Sequence, residues 1–371
     1  MYHLELRDFI LSHENWEELL TTDPYNLKIS RDGNYIMFKY NQISSDFTIP
    51  LVREARGIIF RESDWECVCE KFTKFGNYGE SYCPDIDWAT ASVQEKVDGS
   101  LIGMFYDNGW HICTNGTIDA FKAELNDVKY QNFGQLVLAA IHRVFEDEHK
   151  FFTMLDPKCT YMFELVSPYN RVVIPYEDTK LYFLGIRDME DGKEWNPEDS
   201  DISYDFEMPK RYSLHSLEDV QKAANALPWN QEGYVVCDKN FNRVKIKSPQ
   251  YVMAHYARNN GVVNTERLVQ IVLDGEQEEF LTYASDYADE LKQAEEAMHE
   301  IGYKALDKLK EIFNMKEFET RGAYAREVMK YPMYMKDFLF HCFDSRIFWD
   351  YAKSWDANKW VKAINELNGG I

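Results

Sequence analysis

Glu95-Lys96-Val97-Asp98-Gly99-Ser100-Leu101 is the stretch on which the fold of this chain turns. Apolar runs that read as strand flank it on both sides, so Asp98-Gly99 taken alone signals a hairpin turn. The chemical alternative is that Lys96 serves as a covalent nucleophile, which requires its amine to be neutral. Lys-x-Asp-Gly arises by chance in roughly one chain of this size in ten. The choice between turn and nucleophile therefore depends on what accompanies it.

Working outward, short β runs dominate on either side, at residues 57–60, 101–106, 110–114, 160–166, 180–187, 233–237 and 243–247. Asp107-Asn108-Gly109 makes a turn between the second and third of these. Residues 4–20 carry apolar positions at helical spacing, and 25–40 break into two strands around Arg31-Asp32-Gly33-Asn34. Helical segments interrupt the strands near 130–145 and from Ser216, where Asp219 three residues on suggests a capping box. The pattern predicts an α+β domain rich in antiparallel sheet over residues 1–250. Beyond Tyr251 helical periodicity takes over, as at 279–313, and predicts an all-α domain over 251–371.

The chain has 371 residues, 45% of them apolar, which suffices for two or three domains with substantial cores. No run of eighteen apolar residues occurs, and Met1-Tyr2-His3-Leu4-Glu5 lacks the basic and apolar blocks of a signal peptide. A soluble cytoplasmic protein is expected. Seven cysteines are scattered, and only Cys67 and Cys69 lie close together, which predicts reduced thiols and no structural metal. A net charge of -22 repels nucleic acid at long range, so any polyanion must meet a local basic surface. There is no Walker A loop, G-x-G-x-x-G or G-x-S-x-G.

Six stretches join charge to strand-like flanks: Arg56-Gly57-Ile58-Ile59-Phe60, Lys74-Phe75-Gly76-Asn77, the Lys96 stretch, Phe163-Glu164-Leu165-Val166-Ser167-Pro168, Glu232-Gly233-Tyr234-Val235-Val236 and Val244-Lys245-Ile246-Lys247-Ser248. Strand alternation puts Lys245 and Lys247 on one face. Such a pair either blunts a solvated edge or forms a clamp for phosphate oxygens that also favours a neutral amine nearby. A nucleophilic Lys96 needs that help, because an unperturbed lysine titrates near ~10.4. Asp98 is the candidate for orienting it. Magnesium binds through one or two carboxylates together with phosphate oxygens, and Glu232 and Glu164 are the carboxylates available. Arg56 and Lys74 serve either strand-end ion pairs or phosphate contacts. Arg187 faces either solvent or the cleft. Phe183 and Val235 read as core residues that can each offer a face to a purine.

In this order the stretches resemble the motifs of the covalent nucleotidyltransferases, which comprise ATP-dependent RNA and DNA ligases and messenger-RNA capping enzymes. Within that superfamily Glu54-Ala55-Arg56-Gly57-Ile58, Phe163 to Arg171, Glu232 to Val235 and Lys245-Ile246-Lys247-Ser248 with Tyr251 resemble the tRNA-repairing RNA ligases of T-even-type phages. The resemblance implies a nucleotidyltransferase (ATP-grasp-like ligase) domain followed by a helical domain that serves as a candidate RNA-specificity module. It implies ATP as AMP donor, Mg2+ or Mn2+, and joining of RNA 5′-phosphate and 3′-hydroxyl ends, with cleaved tRNA as a substrate, no membrane and a monomer. Lys96 would take AMP from ATP, with Asp98, Lys245 and Lys247 completing the catalytic set. Arg56, Lys74, Lys245 and Lys247 would hold phosphates and Glu164 the ribose. Phe183 or Leu184 with Val235 would meet adenine, Glu95 and Tyr251 would border the nucleotide, and Glu232 with Glu164 would meet the metal. Asn115 stands where those ligases carry a lysine, and Gly76 where they carry an aromatic residue. No OB-fold pattern follows the last motif, which separates the chain from DNA ligases and capping enzymes; a noncatalytic RNA-binding protein of the same fold is the remaining alternative.

Overall fold

Residues 2–125, 127–256, 263–315, 320–345, 351–352 and 354–367 are described by a computed structural model. They fall into two units, Met1–His255 and Tyr256–Ile371. The first unit opens on two helices, Glu5–Ser12 and Trp16–Thr21, where the sequence predicts one. Extended backbone at His13 separates them. Strands β1 (Lys28–Asp32), β2 (Tyr35–Lys39), β3 (Arg56–Arg61) and β4 (Glu66–Cys69) follow as an antiparallel meander. Leu6 and Ile10 of the first helix share a core with Ile36, Phe38, Ile58 and Phe60 of that sheet.

The remaining strands are β5 (Ser92–Glu95), β6 (Ser100–Tyr106), β7 (Trp110–Thr114), β8 (Cys159–Val166), β9 (Lys180–Asp188), β10 (Glu194–Trp195), β11 (Arg211–Tyr212), β12 (Gly233–Cys237) and β13 (Arg243–Lys247). They form a second sheet in the order β10-β9-β8-β6-β7 and a third in the order β11-β5-β12-β13. Strands β5 and β6 flank the Lys96 stretch yet belong to different sheets. Lys96 to Gly99 is therefore a crossing from sheet to sheet, and the hairpin reading of Asp98-Gly99 does not hold.

Alternation divides each of these sheets into a core face and an open face. In the third sheet Val93, Tyr234, Val236, Val244 and Ile246 are buried together. The helix Leu217–Asn225 covers them with Val220 and Ala224; its predicted cap is present, Ser216 Oγ accepting from the Asp219 N–H at 3.2 Å. In the second sheet Ile102, Phe163 and Phe183 lie side by side on the core face. The helix Phe133–Ile141, capped by the Asn132 side chain, closes over that row. Phe183 is wholly buried and stacks on Phe163 with ring centroids 5.0 Å apart. It does not reach a purine site: the period of two that turns Leu184 outward turns Phe183 in.

The second unit is helical throughout its described elements: Thr265–Asp274, Gln277–Tyr283, Ala288–Met315, Arg321–Val328, Met333–Ser345 and Ala357–Leu367. Asn264 caps the first of these, and Gly275 ends it in the left-handed region at φ 69°. No helix among the described residues is long and apolar enough to cross a membrane.

Phe183→Ala is expected to lower unfolding free energy by about 3–5 kcal/mol, the range for emptying a buried aromatic site, and Leu184→Ala by clearly less. Chemical denaturation measures both, and a larger loss at 184 contradicts the facing assigned to β9.

Candidate active site

The open faces of the second and third sheets bound a cleft of about 480 Å³, within the range of small-molecule sites. Strand register builds the third sheet's contribution row by row. Ser92, Cys237 and Arg243 pair across β5, β12 and β13; Gln94, Val235 and Lys245 make the next row; Gly233 pairs with Lys247 in the last. The Lys96 N–H donates to the Gly233 carbonyl at 2.9 Å, so Lys96 joins that last row. From the second sheet, Leu101 of β6 pairs with Glu164 of β8, and both line the cleft. Gly99 lets the two sheets approach: a Cβ there would collide with the Leu165 carbonyl oxygen and lie 3.0 Å from Glu164 Cγ.

Lys96 Nζ lies 2.7 Å from Glu232 Oε1, and Lys247 Nζ lies 3.9 Å from the same oxygen. Burial raises Glu164 to about 7; Lys96 and Arg56 oppose the shift, and the nearby Glu232 and Asp98 carboxylates reinforce it. Arg56 lines the cleft with its guanidinium 5.2 Å from the Phe75 ring, and its buried Nε and Nη1 have no hydrogen-bond partner among the described residues. A buried guanidinium left so calls for an anion. Lys74 sits between aromatic rings, 5.1 Å from Tyr40 and 4.8 Å from Phe47. Its segment is tied to β13: the Lys245 N–H donates to the Gly76 carbonyl at 3.0 Å, and the Tyr78 N–H to the Lys245 carbonyl at 2.9 Å.

Of the residues singled out in the sequence, Arg56, Lys74, Glu95, Lys96, Glu164, Leu184, Val235 and Lys245 line the cleft. Glu232 and Lys247 join them through the Lys96 contact. Glu95 contributes at the end of β5, although alternation turns it towards Tyr212 and Tyr234, whose hydroxyls burial raises and the Glu95 charge raises further. Asp98 and Tyr251 stand behind the wall. Asp98 is buried; its Oδ2 accepts from the Val173 and Ile174 N–H groups at 2.8 and 2.7 Å, and its Oδ1 accepts from the Tyr251 hydroxyl at 2.8 Å. Both residues thus act on the Lys96 loop, and neither is among the residues that line the cleft. Arg187 faces neither solvent nor cleft: it is buried, donating to the Gly192 carbonyl and to Glu194.

Gly76 is also accounted for. A Cβ there would meet the Glu80 carboxylate and lie 2.8 Å from both Cys83 Sγ and the Tyr82 hydroxyl, so the aromatic residue expected by resemblance has no room. Sequence reading missed Tyr40, Trp195 and Arg243 as cleft residues. Arg243 was within reach, since it stands two residues before Lys245 on the same strand face. Tyr40 and Trp195 carry no such signal: Tyr40 follows β2 of the first sheet, and Trp195 ends the two-residue edge strand β10 of the second.

Residues 54–251 match the model of the RNA ligase family, and the chain belongs to that family. It is 31% identical over 279 residues to a putative bifunctional polynucleotide kinase/RNA ligase of Autographa californica nuclear polyhedrosis virus, with 70% of this chain and 39% of that protein covered. An RNA ligase of Rhodothermus phage RM378 is 24% identical over 368 residues, covering 81% of this chain and 83% of the phage protein. The chain thus spans about two fifths of the baculovirus relative and most of the phage one. Among solved structures, an archaeal ATP-dependent RNA ligase is similar over 98% of this chain and 99% of that one, at 14% identity and a TM-score of 0.49.

Glu164 titrates near 7 in the folded protein against an ordinary 4.5. The folded state therefore keeps a proton that the unfolded chain releases, and the stability this brings, complete below the ordinary value, is lost as pH rises through about 7. Glu164→Gln cannot ionise. Its melting temperature relative to the parent should accordingly rise between about pH 5 and about pH 8, as read by differential scanning fluorimetry. Asp98→Ala strands two backbone donors and a hydroxyl, and should cost about 2–4 kcal/mol. Asp98→Asn keeps an acceptor for the backbone donors and should cost less. Equal losses in denaturant titration would count against the hydrogen-bonding role.

Proposed function

We propose that the chain is an ATP-dependent RNA ligase that joins an RNA 5′-phosphate to a 3′-hydroxyl, with cleaved RNA such as a broken tRNA as its substrate class. The observation that carries this reading is the convergence of Lys96, Glu232, Lys247, Lys245 and Arg56 about one cleft. In a chain of net charge -22, such a concentration of cations is local provision for phosphate.

The first step follows from that geometry. Glu232 is the carboxylate next to the Lys96 amine and the acceptor for the proton it must lose. The neutral Nζ attacks the α-phosphorus of ATP; a phosphorus–nitrogen bond forms, and the bond to the bridging oxygen breaks with its electron pair leaving on pyrophosphate. Arg56, Lys74 and Lys245 neutralise charge on the phosphates. Val235 and Leu184 supply apolar surface for the base. AMP then passes to the RNA 5′-phosphate, and the 3′-hydroxyl of the other strand displaces it. Glu164 and Glu232 are hard oxygen donors of the kind a magnesium or manganese ion takes, and the mutual repulsion that helps to raise Glu164 is what a bound dication would relieve. Such an ion would supply charge on the phosphates when bound. The helical unit is proposed to recognise the RNA.

Incubation with ATP labelled at the α-phosphate should give an acid-stable protein adduct by denaturing electrophoresis. Lys96→Ala should abolish it, and Lys245→Ala and Lys247→Ala should each reduce it by about 10²-fold or more, the scale for losing a charged oxyanion contact. An adduct that survives Lys96→Ala, or none on the parent chain, overturns the reading.

A further inference from the structure

A buried lysine of the first unit also lies outside this scheme. Lys71 follows β4, is 2% exposed, and sits beneath the cleft. Its Nζ donates to the Gly57 carbonyl at 2.6 Å and lies 3.6 Å from Cys113 Sγ on β7. Gly57 follows Arg56 directly. The Cys69 and Cys113 sulfurs, on strands of two different sheets, are 3.7 Å apart.

Two glycines make room for this group. A Cβ on Gly103, which pairs with Cys113 across β6 and β7, would lie 2.8 Å from Cys113 Sγ and 3.0 Å from Lys71 Cδ. A Cβ on Gly57 would lie 3.3 Å from Lys71 Nζ and 2.6 Å from the carbonyl oxygen of Asn115, a cleft residue. An ammonium so buried is costly unless it is paired, and Cys113 is the side chain that pairs it. The electrostatics agree. The hydrogen bond with Cys69 and the Lys71 charge hold Cys113 below the ordinary thiol range, while burial holds Cys69 well above it.

We propose that Cys69 and Cys113 form a site of oxidative modification, closing to a disulfide that takes from Lys71 its sulfur partner and disturbs the floor of the cleft. The oxidant is a peroxide, small enough to reach a packed interior during local opening. The Cys113 sulfur attacks one peroxide oxygen, the oxygen–oxygen bond breaks, and hydroxide leaves with the Cys113 proton as water, giving a sulfenic acid. The Cys69 sulfur then attacks Cys113 sulfur, and hydroxide departs with the Cys69 proton as water. Two thiols are oxidised by two electrons, and one peroxide is reduced to two waters.

Closing the sulfurs from 3.7 Å to the ~2.05 Å of a disulfide draws β4 and β7 together in a close-packed interior. Lys71 is left buried at the Gly57 carbonyl without its counter-charge. Arg56 and Asn115 adjoin that point, so the effect on catalysis rests on the ligase reading above.

The test treats the full chain with hydrogen peroxide and maps peptides without reduction. Expected are a Cys69–Cys113 cross-link lighter by two hydrogens, a loss of lysyl-AMP formation of about tenfold or more, as small displacements at a catalytic site cause, and recovery with dithiothreitol. Cys69→Ser should keep the untreated adenylation rate and form no link. Sulfurs that stay reduced or pair elsewhere in the folded chain, or a cross-linked protein that adenylates normally, overturn the proposal. The mass shift is read independently of activity, so failure of the untreated chain to adenylate overturns the functional reading alone.

Discussion

The cleft depends on the buried carboxylate of Asp98. It accepts two backbone N–H groups from Val173 and Ile174 and the hydroxyl of Tyr251, binding the loop between β5 and β6 to two distant parts of the chain. That loop is the crossing from the third sheet to the second. With it fixed, Lys96 falls beside Gly233 and Glu232 on one side, and Gly99 packs against Leu165 and Glu164 on the other. A hairpin between β5 and β6 would have put both strands in one sheet and left no facing wall.

Charge is arranged around that frame in two layers. Within the cleft cations line the wall, yet burial still raises Glu164, with the Glu232 and Asp98 carboxylates adding to the shift and Lys96 and Arg56 opposing it. Beneath it, Lys71 is matched with sulfur where a carboxylate would be the usual partner. The acidic remainder of the protein is compatible with a polyanionic substrate because the field that matters is that of the cleft.

Much of this was legible in the sequence because its physics is local. The period of two along β9, β12 and β13 separates core from cleft residues, and Ser216 with Asp219 announces a helix start that the structure contains. The same period agrees with the core reading of Phe183, which it groups with Leu181, and leaves Leu184 as the residue of that pair that faces the cleft. Tyr40 and Trp195 were not legible: one follows β2 of the first sheet and the other ends β10 at the edge of the second, and no local pattern encodes how those edges meet the cleft.

By itself, the sequence determined most of the strands, the longer ones among them, and the ordered set of charged motifs, since alternation and residue chemistry act over a few residues; β4 and the two-residue strands β10 and β11 were not among them. Only the tertiary structure decided that Asp98-Gly99 crosses between sheets, that Asp98 and Tyr251 brace the wall without entering the cleft, and that Lys71, Cys69 and Cys113 meet beneath it. Those relations join residues up to 153 positions apart. Pairing at such separations is set by sheet register and by the packing of one sheet on another, which no stretch of sequence specifies alone.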